Sequence, residues 1–280
     1  MGQNRIICAK GTADVNAGNN TWSRGTPMTQ TEAATELIIN RLQVIDLLQR
    51  GKISSDSTIV TLPERKFLYE NIFENVEVWD DQSKQTGIDL VKDIAKTARS
   101  LPYKPFYKHY ERDKHLIHDI KYNDEILNTD LPKFAIVIPR LKKSDIRRNL
   151  DQAYWAEAIN KARELNSYEK IFVFGKGNEN LDDGEKVFYI DTLQDFCSYI
   201  HHESCHHVIS TISGPCHYVQ QFGNVNKQTK MTMIDHMNLI PDGGHDDPSY
   251  FHPCINFTEV QIEWIKWNPL PSPKELGKMI

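Results

Sequence analysis

The feature that most constrains this chain is an alternation of short apolar runs with longer amphipathic segments, repeated in its two halves. A strand followed by a helix and another strand calls for a parallel sheet, since parallel neighbours need a crossover and a packed helix supplies one. In the first half, residues 6–9 read as a buried strand. Residues 31–49 read as a helix with Ala33, Ala34, Leu37, Ile38, Leu42, Ile45 and Leu48 on one face and Gly51 past its end. Residues 58–62 and 76–79 read as two more strands, with a helical segment opening at Pro63 and another helix over 88–98. In the second half, strands are predicted over 134–138, 171–174, 187–190 and 207–212, and helices over 154–165, 193–201 and 216–222.

Between the halves, residues 101–132 lose this pattern, and Pro102, Pro105 and Pro132 punctuate an aromatic, basic stretch. The predicted organisation is therefore a domain over 1–132, a second over 133–258, and a C-terminal segment over 259–280 whose amphipathic part, 259–267, reads as a helix. The fold class is α/β, as two Rossmann-like α/β/α domains facing across a cleft. Each sheet would take ligands at the carboxyl ends of its strands.

Composition narrows the class of partner. The 280 residues carry 33 Lys and Arg against 38 Asp and Glu, a net charge of -5, so no bulk positive field favours nucleic acid or an acidic membrane. No run approaches the length of a membrane span, and the first residues do not read as a signal peptide. The five cysteines, odd in number and without a C-x-x-C pair, fit a reducing compartment, and the expected location is cytoplasmic.

The most informative segment joins a strand to a helix through Ser213-Gly214-Pro215, with His217 one turn on. Free N–H groups at a helix start, together with the helix dipole, favour an anion there. Gly214 permits close backbone approach, Pro215 suits the first helical turn, and Ser213 and His217 could reach a phosphate oxygen. Arg140 ends the strand over 134–138, with Lys142, Lys143, Arg147 and Arg148 following, and these cations could neutralise a diphosphate. Phe174-Gly175-Lys176-Gly177 ends the next strand; its two glycines imitate a dinucleotide fingerprint, but the third glycine is missing. Ile190 and Thr192 flank the end of another strand, where Thr192 also suits a helix N-cap.

In this order, a strand ending in Pro-Arg, then IFVFGKG, VFYIDTLQDFCSYI and STISGPCH, residues 133–223 resemble the donor-binding domain of GT-B glycosyltransferases, particularly the heptosyltransferase-like and fucosyltransferase-like groups. As a whole the chain is also similar to virus-encoded xylosyltransferases of N-glycan assembly. The resemblance implies a nucleotide-sugar co-substrate, with UDP-xylose as the specific expectation, a glycan acceptor, no resident cofactor, and a C-terminal helix returning to the first domain. If the source is viral, the location becomes the host cytoplasm. No Asp-x-Asp occurs among the 21 aspartates and no Glu-x7-Glu in the second half, which favours inverting transfer without a metal ion.

Such a reaction needs a base on a first-domain loop. The glycine- and asparagine-rich stretch after residue 9 offers Asp14, with Asp81 and Asp80 in reserve, although an Asp in such a loop also suits an Asx turn. Asn16, Asn19, Trp22, Arg24 and Trp79 are candidates for the acceptor, aromatic positions of this kind serving packing as readily. A rival constellation gathers His201, His202, Glu203, Cys205, His206 and His207, with His245, Asp246, Asp247 and His252 beyond. It would suit a metal-dependent hydrolase, but lacks a recognised ligand spacing, and no metal site is assigned. A silent carbohydrate-binding protein is the third reading.

Overall fold

The computed structural model describes residues 5–7, 41, 44–45, 47–49, 51–78, 88–89, 119–141, 149–211, 213, 215–224, 229–235, 261–266 and 270–280. The chain divides into two compact units, Met1–Tyr122 and Asn123–Ile280.

In the first unit, strands β1 (Arg5–Ile7), β2 (Thr58–Thr61), β3 (Asn75–Val78) and β4 (Ile88–Asp89) form a parallel sheet in the order β3-β2-β1-β4. Ile6 sits beside Ile59 on one side and Ile88 on the other, and both Ile6 and Ile59 are fully buried. Of the helix expected over 88–98, Ile88 and Asp89 instead pair with β1, whose edge supplies backbone hydrogen-bond partners, while 90–98 lie outside the described residues. Of the helix expected over 31–49, residues 41, 44–45 and 47–49 are helical, and Gly51 ends it with φ +62° and an N–H donated to Leu48 O at 3.0 Å. The segment opening at Pro63 is a 3-10 helix, Pro63–Leu68. Arg41 is fully buried, and its guanidinium donates to the carbonyls of Leu68 and Asp119, both at 2.9 Å.

The second unit holds six strands, all parallel: β5 (Phe134–Ile138), β6 (Lys170–Phe174), β7 (Val187–Ile190), β8 (Cys205–Thr211), β9 (Lys230–Asp235) and β10 (Gln261–Lys266). Its helices are α1 (Asp124–Leu127), α2 (Gln152–Leu165), α3 (Leu193–His201), α4 (Pro215–Phe222) and α5 (Pro273–Met279). The two-residue period of the strands builds a layer on each face. Ala135, Val137, Ile171, Val173 and Ile209 face α2 and α5, where Trp155, Ala158, Ala162, Leu276 and Ile280 complete one core. Phe134, Phe172 and Phe174 turn to α3: Phe172 lies 4.3 Å from Tyr199 between ring centroids, and Phe174 stacks on Phe196 at 4.1 Å. The α/β/α layering expected for this half is thus the one observed.

The C-terminal segment departs from expectation. Residues 261–266 form β10 and pair along their whole length with β9, from Gln261 beside Lys230 to Lys266 beside Asp235. So short a helix is costly to nucleate, whereas the β9 edge supplies backbone partners at once. The helix that ends the chain is α5, opened by a capping box between Ser272 and Glu275, and it packs on α2 of its own unit. Gly277 makes this approach possible, since a Cβ there would stand 2.5 Å from Ala158 O.

Candidate functional site

The sheet of the second unit runs β7-β6-β5-β8-β9-β10. Counted from the unit's first strand, this is the doubly wound order 3-2-1-4-5-6. The chain leaves β5 toward β6 and β7, then returns to the other side of β5 to lay down β8. At this reversal, connections depart in opposite directions from two adjacent strands and open a crevice outside their carboxyl ends. The residues there are those following Ile138 and Thr211.

From β5 the crevice receives Arg140, half-buried, whose Nη1 donates to Asn149 Oδ1 at 2.8 Å. From β8 it receives Ser213, only 8% exposed, and then Pro215 at the first position of α4. A polar network holds this turn. The Ser210 hydroxyl donates its one proton to Thr211 O at 2.7 Å and lies 3.2 Å from Ile138 O and 3.1 Å from Ser213 Oγ. The Cys216 thiol donates to Thr211 O at 3.4 Å and lies 3.4 Å from Ser213 Oγ. Burial pushes the Cys216 thiol up from its ordinary pKa, which favours its protonated, donating form. The network ties the ends of both switch-point strands to the start of α4, while the buried Thr211 hydroxyl has no hydrogen-bond partner among the described residues.

The neighbouring strand ends are equally defined. After Phe174, which is buried, Gly175 and Gly177 take φ of +119° and +93°, which makes them turn residues. The Gly177 N–H donates to Glu179 Oε1 at 3.0 Å, and Lys176 is exposed. That backbone hydrogen bond, before any other cause, lowers the Glu179 pKa. Ile190 is buried at the end of β7, and Thr192 caps α3 by accepting from Asp195 N–H at 3.0 Å. The unit thus sets Arg140, Lys176, Thr192, Ser213 and Pro215 along one carboxyl edge. Lys142, Arg147 and Gly214 lie outside the described residues, as does the His217 side chain.

In the first unit the order β3-β2-β1-β4 places the equivalent reversal between β1 and β4. The residues that follow those strands, including Asp14, Asn16, Asn19, Trp22 and Arg24, lie outside the described residues, as do Trp79, Asp80 and Asp81.

The described histidines of the rival constellation have structural partners. Ser204 N–H donates to His202 Nδ1 at 3.0 Å, so the ring proton is on Nε2, which donates to Thr129 O at 3.0 Å. His201 Nδ1 meets Phe222 O at 3.1 Å, and His207 Nε2 meets Thr232 Oγ1 at 2.8 Å. Burial, with Lys230 adding to it, pushes His207 down to about 4. Among the described residues no group of three His, Cys, Asp or Glu side chains could hold a metal ion. His245, Asp246, Asp247 and His252 lie outside them. No described helix is long and apolar enough to cross a membrane.

Asn178 carries no signal in the sequence as a residue of this edge. It is fully buried in the turn after β6, and its Nδ2 donates to Pro139 O at 2.9 Å and to Gly175 O at 3.0 Å. An Asn after Gly-Lys-Gly reads only as a turn former, and nothing in the linear pattern joins it to residue 139.

No family model matches the chain, and no curated protein matches it. Among solved structures it is similar to the E. coli ADP-heptose LPS heptosyltransferase II, with 9% identity and a TM-score of 0.48 over 99% of this chain and 97% of that one. It is also similar to the E. coli heptosyltransferase WaaC with ADP, with 13% identity and a TM-score of 0.49 over 99% and 97%.

Proposed function

We propose that the chain is a glycosyltransferase whose second unit binds a nucleotide sugar at the carboxyl edge of its sheet. The observation that carries this reading is the strand reversal between β5 and β8, with Arg140 beyond one strand and the Ser213–Pro215 turn into α4 beyond the other. A diphosphate placed there would meet a guanidinium on one side and the positive end of a helix on the other. The order of motifs along 133–223 supports a sugar nucleotide over a dinucleotide, since the Gly-Lys-Gly turn lacks the third glycine of the fingerprint.

In the finer reading, the donor is UDP-xylose, the acceptor is a glycan hydroxyl, and transfer is inverting and independent of metal, as in viral N-glycan assembly. Asp14 would take the proton of the acceptor hydroxyl while that oxygen bonds to the anomeric carbon from the face opposite the nucleotide. The bond from the anomeric carbon to the diphosphate oxygen breaks, and its electron pair leaves with UDP. Arg140, Lys176 and the start of α4 would stabilise the charge that develops on the leaving group. Asn16, Asn19, Trp22, Arg24 and Trp79 would hold the acceptor, and Ile190 and Thr192 would line the nucleotide.

A thermal-shift series over nucleotide sugars in EDTA tests the assignment, because a ligand of the native state raises the melting temperature by mass action. UDP-xylose is expected to give the largest shift. A larger shift with an ADP-sugar would replace the donor, and no shift with any nucleotide would remove the reading. Asp14→Asn is expected to abolish turnover and retain the shift, whereas a silent binding protein would have no turnover to lose.

A further inference from the structure

The two amide protons of Asn178 are spent on two carbonyls from different places in the chain. Gly175 O belongs to its own turn, but Pro139 O lies 39 residues earlier, on the peptide that joins Pro139 to Arg140 just past β5. The amide orientation is fixed by this pairing, because a flipped side chain would set Oδ1 against both carbonyls. Gly175 is fitted to the same bridge: a Cβ there would stand 3.2 Å from Asn178 Nδ2 and 3.4 Å from Pro139 O, and its φ of +119° suits glycine alone. Arg140 is thereby held from two directions. Asn178 fixes the peptide from which it starts, and Asn149 accepts from its guanidinium at 2.8 Å.

We infer that Asn178 is a positioning residue for Arg140, holding its backbone so that the guanidinium is preorganised at the switch point to receive the anionic part of the ligand. The inference rests on the nucleotide-binding reading given above. A guanidinium placed in advance loses less freedom on binding than one that must be gathered from a mobile strand end. Without the amide, two buried carbonyls lose a donor and the 139–140 peptide loses its tie to β6.

The test is a double-mutant cycle on the full chain, with UDP titrated by calorimetry in EDTA into wild type, N178A, R140A and the double variant. N178A is expected to weaken UDP about tenfold in the wild-type background and by less than about twofold in the R140A background, since the lost placement matters only while there is a guanidinium to place. Equal penalties in both backgrounds, or none in either, would overturn the inference and leave nucleotide binding standing. Wild type that binds neither UDP nor ADP would remove the nucleotide reading and the inference with it. If N178A does not fold, N178S, which keeps one donor, is carried through the same cycle against the same outcomes.

Discussion

Gly277→Ala sets helix propensity against packing. In an exposed helix interior the change would stabilise by about 1 kcal/mol. In α5, however, the added Cβ would lie 2.5 Å from Ala158 O and 2.5 Å from Lys161 Cβ. The first of these is backbone of α2, in the core with Trp155, so relief requires moving one helix off the other. Overpacking of this kind costs about 1–3 kcal/mol, and with contacts this short the upper end applies. The net is a destabilisation of about 2 kcal/mol. For a unit of this size each kcal/mol lowers the melting temperature by about 2–4 °C, so a fall of about 4–8 °C is expected. Calorimetric melting of the full chain, with urea unfolding as a second probe, reads it directly. A rise in melting temperature would mean that α5 does not sit against α2, and would refute the closure of the second unit described above.

Three further outcomes follow from the same geometry. His207 is neutral and buried against Thr232, with a pKa near 4 against about 6.5 for the free side chain, so the unfolded chain binds its proton first as pH falls. Stability is therefore full above pH 6.5 and lost progressively down to about 4; urea midpoints of wild type and His207→Gln should differ in slope across that window and run parallel above it. Trp155→Ala should cost about 3–5 kcal/mol, whereas Trp155→Phe should cost markedly less because it also removes a buried indole N–H that has no partner among the described residues, as chemical denaturation will show. Arg140→Ala and Ser213→Ala should each weaken UDP binding while leaving the melting temperature of the unliganded chain within a few degrees, measurable by calorimetry and thermal shift.

The strands β5 and β6 are legible because they are apolar runs buried on both faces, as central parallel strands must be, whereas the edge strand β7 leaves Phe188 and Tyr189 half-buried and β8 is marked by its Val208-Ile209 centre. β9 and β10 are not legible as strands, since six residues with mixed apolar and polar positions satisfy either period, and only pairing with a neighbour decides between them. Ile88 and Asp89 show the same ambiguity at a length of two residues. Candidates at the site were readable where the residue simply follows a strand, as Arg140, Thr192 and Ser213 do. Asn178 was not readable, because its role depends on a carbonyl brought near by the pairing of β5 with β6.

The proposed site for a nucleoside diphosphate is the reversal between β5 and β8. Titrating UDP into isotopically labelled protein in EDTA and following the backbone amide resonances tests it most directly. Saturable shifts are expected, concentrated at Arg140, Lys176, Thr192, Ser213 and the first turn of α4. Shifts confined to the opposite edge of the sheet, around Lys230 and Gln261, or no shifts at millimolar UDP and ADP, would contradict it.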